Sequence, residues 1–181
     1  MEIDKKKYFK IALGIVLCLL VRLIPFRAPN VEPILATLMP FSKAYGAFFG
    51  FSFAVLSILL YDVVTGTLGM QTFFTVTAYG ILGLWSASYF KKHQASKWGY
   101  VRFAIMGTLF FDAFTGLTVG PIFFHQSFLG SLFGQIPFTA LHLLGNVIFA
   151  FALSPVIYNF LIKKKKTATL SIASIPYPKT I

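Results

Sequence analysis

Three basic clusters divide an otherwise apolar chain, and their spacing constrains how it can cross a membrane. Lys5, Lys6 and Lys7 precede the first long apolar segment, Lys91, Lys92, His93 and Lys97 stand mid-chain, and Lys163 to Lys166 close the last segment. Basic residues gather on the cytoplasmic side, so if all three clusters lie there, an even number of spans separates each neighbouring pair. Between the first two clusters three spans are obvious, at about residues 8–26, 44–64 and 71–90. Three is odd, so a fourth is required. The stretch from Arg27 to Ser42, with Pro29-Asn30-Val31-Glu32-Pro33 at its head, supplies it. Its apolar run of about twelve residues, at about 1.5 Å each, falls short of a hydrocarbon core of roughly 30 Å. By hydropathy alone it is a loop with a solvated Glu32. Charge parity makes it a short helix or an extended-plus-helical crossing whose freed backbone groups are covered by neighbours.

Composition agrees with a membrane-embedded, all-α chain of one domain: of 181 residues, 57% are hydrophobic and 12% charged. The net charge of +11 comes from basic residues at segment ends, which mark topology and do not form a nucleic-acid face. Cys18 is the single cysteine, which excludes an intrachain disulfide and a cysteine-based metal site. The expected layout is a tail over 1–7, a six-helix transmembrane domain over 8–162 with both termini cytoplasmic, and a basic then flexible tail over 163–181. The basic start could suggest a leader peptide, but Arg22 and Pro25 follow in place of a small-residue cleavage site.

Small residues mark packing or docking faces. Gly14 and Cys18 lie four apart on the first span, as do Ala12 and Val16, and Gly46, Gly50 and Ala54 form a strip on the third. Such strips serve packing within the protein or docking of a second membrane subunit. Arg22 and Arg27, at the outer end of the first span, either snorkel to the interface, or one of them faces a solute pocket or pairs with Glu32.

Polar residues inside apolar segments are the functional candidates. Asp62-x-x-Thr65-Gly66 recurs as Asp112-x-x-Thr115-Gly116, fifty residues on, each expected near the outward end of its helix before a glycine-rich loop. This echo suggests two related halves. Pro121 to Gln126 reads as an outer loop including His125. If the last helix continues through Pro137, then Gln135, Thr139, His142 and Asn146 form one polar stripe, for solute contact or for interhelical hydrogen bonds. Glu32, Asp62 and Asp112 all fall toward the outer half, which suggests a polar cup open to the outside. Tyr61-Asp62 matches half of an intramembrane aspartyl-protease pattern and the other half is missing; no phosphate-binding loop is present. An enzyme and a bound cofactor are therefore not expected; His125, His142 and the carboxylates leave a metal site open, but their spacing is not diagnostic and none is assigned.

The small six-span layout, the Pro29-Asn30-Val31-Glu32-Pro33 entry, the glycine-rich segments after Asp62 and Asp112, and the run from Gly134-Gln135-Ile136-Pro137-Phe138 to His142-Leu143-Leu144-Gly145-Asn146 resemble the substrate-binding S component of an energy-coupling-factor transporter. The resemblance covers roughly residues 8–162. It implies a multi-pass protein of a prokaryotic cell membrane that binds a vitamin or similar micronutrient from outside, then docks on a transmembrane coupling subunit driven by two cytoplasmic ATPases. By position it implies a pocket with Gln126, Gln135, His142 and Asn146, lid contacts from Asn30 and Glu32, and stacking on Tyr79 or Trp85. It also implies a docking face on the first helix, where the family's Ala-x-x-x-Ala is replaced by Ala12-x-x-x-Val16 and Gly14-x-x-x-Cys18, with Gly46 and Gly50 as further candidates. A membrane scaffold without a solute and an ion-coupled secondary transporter, with Asp62 or Asp112 carrying the ion, are the alternative readings.

Overall fold

The computed structural model describes residues 5–26 and 31–173, with 162–173 described as backbone alone. Six helices follow in order: α1 Lys5–Arg22, α2 Ile34–Tyr45, α3 Ala47–Thr65, α4 Met70–Lys92, α5 Lys97–Phe124 and α6 Phe128–Ala173. Of these, α3, α5 and the Phe128–Leu161 part of α6 are long and apolar enough to cross a membrane.

The proline-framed stretch becomes α2, and α2 is the axis of the bundle. Every residue from Ile34 to Ser42 is buried, and the helix touches all five others. A helix apolar on all sides is stable only when enclosed. Pro40 lies inside it and has no N–H to give the Ala36 carbonyl one turn back. Ser154 of α6 supplies the missing donor, its hydroxyl bonding the Ala36 oxygen at 2.7 Å. Gly46 alone links α2 to α3, at φ 93°, a left-handed backbone that a Cβ disfavours.

Glycines also set the closest helix crossing. A Cβ on Gly83 of α4 would stand 2.7 Å from the Gly50 carbonyl oxygen, and one on Gly50 would meet the Ser42 hydroxyl at 2.0 Å. Thus α3 and α4 touch through backbone, and Ser42 Oγ donates to the Gly83 carbonyl at 3.3 Å beside that contact.

The lysines mark one end of the bundle. Lys7 lies over the rings of Tyr45 and Phe49, Lys10 Nζ donates to the carbonyls of Phe160 and Leu161, and Lys43 Nζ donates to that of Phe90. These contacts bring together the start of α1, the α2–α3 link, the end of α4 and the far part of α6.

Several boundaries differ from the sequence reading. Residues 121–124, expected in an outer loop, are the last turn of α5: Gly116 and Gly120 continue as helix, with the Thr115 and Thr118 hydroxyls turned back onto carbonyls of the preceding turn. His125, at φ 51°, ends it. Likewise α6 runs unbroken through Pro137 and Pro155 to Ala173, past the expected boundary at Ile162. The echo does not survive in structure. Asp62 lies one turn from the end of α3, where Gly66 at φ 67° closes the helix, whereas Asp112 is buried midway along α5. The placement that suggested two related halves is therefore absent.

Candidate functional site

At the end of the bundle opposite the lysines, four helix termini surround an open cavity of about 500 Å³. The end of α3 brings Asp62, the following turn brings Thr67, and the start of α4 brings Gln71 and Thr75. From the last turns of α5 come Thr115, Gly116, Gly120 and Phe124; Gln126 follows in the link, and α6 adds Gln135 and Phe138.

Local bonding fixes this rim. Thr67 N–H donates to the Asp62 carbonyl at 2.9 Å and Gly66 N–H to that of Val63 at 3.3 Å, closing α3 in a glycine-terminated turn. Thr72 Oγ1 donates to Asp62 Oδ2 at 2.6 Å and accepts from Gly69 N–H at 3.1 Å, tying the start of α4 to α3. Across the cup, Ser127 Oγ accepts from Gly130 N–H at 3.1 Å and starts α6, while Ser131 Oγ donates to Gln126 Oε1 at 3.2 Å. Gln135 forms part of the floor: its Nε2 donates to the Asp112 carbonyl at 3.3 Å, and its amide fills the space that a Cβ on Gly116 would take.

Below that floor, the polar stripe of α6 is spent on α5. Asp112 Oδ1 and His142 Nδ1 lie 2.7 Å apart, both side chains almost wholly buried; with Asp112 ionised, Nδ1 carries the proton. One turn further, Asn146 Nδ2 donates to Thr108 Oγ1 at 2.9 Å. A second buried network ties three other helices to the α2 entry. Arg22 Nε stands 3.1 Å from Glu32 Oε2, its guanidinium 3.7 Å from the centre of the Tyr61 ring, and the Tyr79 hydroxyl donates to Glu32 Oε1. Arg22 therefore pairs with Glu32 and does not snorkel; a solvated Glu32 is ruled out.

Of the expected solute contacts, Gln126 and Gln135 line the cup. Glu32, Tyr79, His142 and Asn146 do not, because each is buried against a polar partner inside the bundle. Trp85 does not either; it packs edge-on against Phe103 and Phe110, at centroid distances of 5.2 and 6.0 Å. Asn30 and Arg27 lie outside the described residues. Asp62, Gln71, Thr75 and Phe138 join the site instead. Their one sequence signal is that polar residues flank the Asp62 turn on both sides.

The expected docking residues divide. Gly14, Cys18 and Gly50 face inward: a Cβ on Gly14 would stand 2.9 Å from the Phe41 ring, and Cys18 Sγ donates to Thr37 Oγ1 at 3.5 Å. Internal close packing has used them, so they are not an outer face. Ala12 and Val16 are exposed on the other side of α1, and Gly46 is the α2–α3 link. A second cavity, about 310 Å³, runs between α1, α2 and α6 and is almost wholly apolar apart from Lys10 at one end. No protein-family model, curated protein or solved structure matches the chain.

Proposed function

We propose that the chain is the solute-binding membrane subunit of an energy-coupling-factor type transporter, taking up a vitamin or similar micronutrient. On this reading all six helices span the cell membrane of a prokaryote, the lysines and both termini face the cytoplasm, and the cup opens outside. A coupling subunit and two cytoplasmic ATPases supply the energy. The observation that carries the reading is a solute-sized polar cup at the end away from the lysines. Small-molecule sites enclose roughly 300–1,000 Å³ and combine apolar walls with a few placed polar groups, as this one does.

The test is thermal unfolding of the detergent-solubilised protein against water-soluble vitamins and nucleobase derivatives. A ligand at about a hundred times its dissociation constant adds roughly 2.7 kcal/mol. The expected result is a shift with one compound that Gln135→Ala or Gln126→Ala weakens. No shift across the panel gives the scaffold reading instead. For topology, a cysteine at Thr67 is expected to react from outside and one at Ser96 from inside, in a Cys18→Ala background. The buried Asp112–His142 pair supports a second reading, ion-coupled transport, since ionisable groups at membrane depth commonly carry protons or ions. Uptake that persists after removal of the ATPases selects it.

A further inference from the structure

The three carboxylates among the described residues have different partners. Glu32 has the Arg22 guanidinium at 3.1 Å, and Asp112 has the His142 ring nitrogen Nδ1 at 2.7 Å. Asp62 is as buried as Glu32, each 9% exposed, yet no basic side chain among the described residues pairs with it. Its side-chain partners are neutral. Thr72 donates to Oδ2 at 2.6 Å, and Thr67 reaches Oδ1 only at 3.5 Å. A carboxylate largely withdrawn from water without a cation is costly. Asp62 lines the cup, and no basic side chain among the described residues lines it with Asp62. Among the described residues nothing supplies that charge, and the open cup leaves room for a guest to bring it.

We infer that the cup takes an organic cation whose positive charge pairs with Asp62, an inference that rests on the solute-binding reading above. The rest of the lining fits such a guest. Gln71 and Gln126 bring amides that both donate and accept, and Phe124 and Phe138 add aromatic rings, which suit a flat cation. A bare inorganic ion needs a close shell of oxygens, whereas this space is wide and partly walled by phenyl rings. An anionic solute would add its charge to that of Asp62 and is disfavoured.

The experiment uses one ring at three charges: 1-methylnicotinamide, nicotinamide and nicotinate. Together with further flat organic monocations, they are titrated against the full chain in detergent with the unfolding midpoint as readout. Sodium chloride at equal ionic strength is the control. The cations are expected to raise the midpoint and nicotinate to leave it unchanged. Without ligand, Asp62→Asn is expected to unfold at or above the wild-type temperature, because the amide still accepts from Thr72. It should weaken cation binding by about tenfold or more. Asp62→Glu, which keeps the charge, should retain part of the response. A shift from the neutral or anionic compound alone overturns the cation inference and leaves the receptor reading standing. An equal shift from sodium chloride replaces the organic cation by an inorganic one. If no cation shifts the wild type, the inference falls whatever Asp62→Asn does to stability, and if nothing in the broader vitamin panel shifts it either, the receptor reading falls too.

Discussion

Asp62 and Asp112 open the same five-residue pattern, and the structure uses them in opposite ways. Asp112 sits midway along α5, sealed against His142; Asp62 stands at the end of α3, less deeply buried and facing a cavity. What separates them is whether the helix stops. Gly66 turns into the left-handed region and ends α3 one turn after Asp62, while Gly116 stays helical and carries α5 on to Phe124. One carboxylate is thereby placed to hold the bundle together, and the other is placed on the rim.

The contrast is most sharply broken by removing the partner of the sealed aspartate. His142→Ala leaves Asp112 buried without its counter-group and should cost about 3–5 kcal/mol in an unfolding titration. If the variant is as stable as Asp62→Asn, the two sites are not different in kind. The glycines come next. Gly66→Ala forces a Cβ into a left-handed turn and should cost about 1–2 kcal/mol. Gly116→Ala instead gains helix propensity of up to about 1 kcal/mol and pushes the Gln135 amide off the Asp112 carbonyl, so it should alter binding in the cup with little loss of stability. Equal stability losses at both glycines would erase the distinction drawn from α5. The smallest effect lies one turn below Asp112. A double-mutant cycle over Thr108→Val and Asn146→Ala should give a coupling of about 0.6 kcal/mol, the usual scale of an interhelical hydrogen bond in a bilayer.

Much of the scaffold was legible because charge and hydropathy act locally. The lysine clusters asked for a fourth span between Arg27 and Ser42, and the structure has a buried helix, α2, beginning in that stretch at Ile34. The four-three-four spacing from Gln135 to Asn146 marked one face of α6, and Gln126 and Gln135 do reach the cup. What was not legible depends on partners distant in sequence. A glycine that ends a helix and one that continues it look alike in sequence, so the last turns of α5 read as loop. Small residues permit close approach without saying to what, and Gly14, Cys18 and Gly50 turn out to meet Phe41, Thr37 and Ser42. His142 and Asn146 read as solute contacts because their partners, Asp112 and Thr108, become neighbours only when α5 lies against α6.

The bond from Ser154 to Ala36 has a consequence in time. The carbonyl that Pro40 leaves open waits for a hydroxyl 118 residues later in the chain. On the six-span reading proposed above, the second segment enters the bilayer short, and with an acceptor that lipid cannot satisfy. A nascent chain arrested ahead of Ser154 is expected to leave Thr37 within reach of water-borne thiol reagents when replaced by cysteine in a Cys18→Ala background, and release of the last helix should close that access. That result would make the axis of the finished bundle the element that settles last.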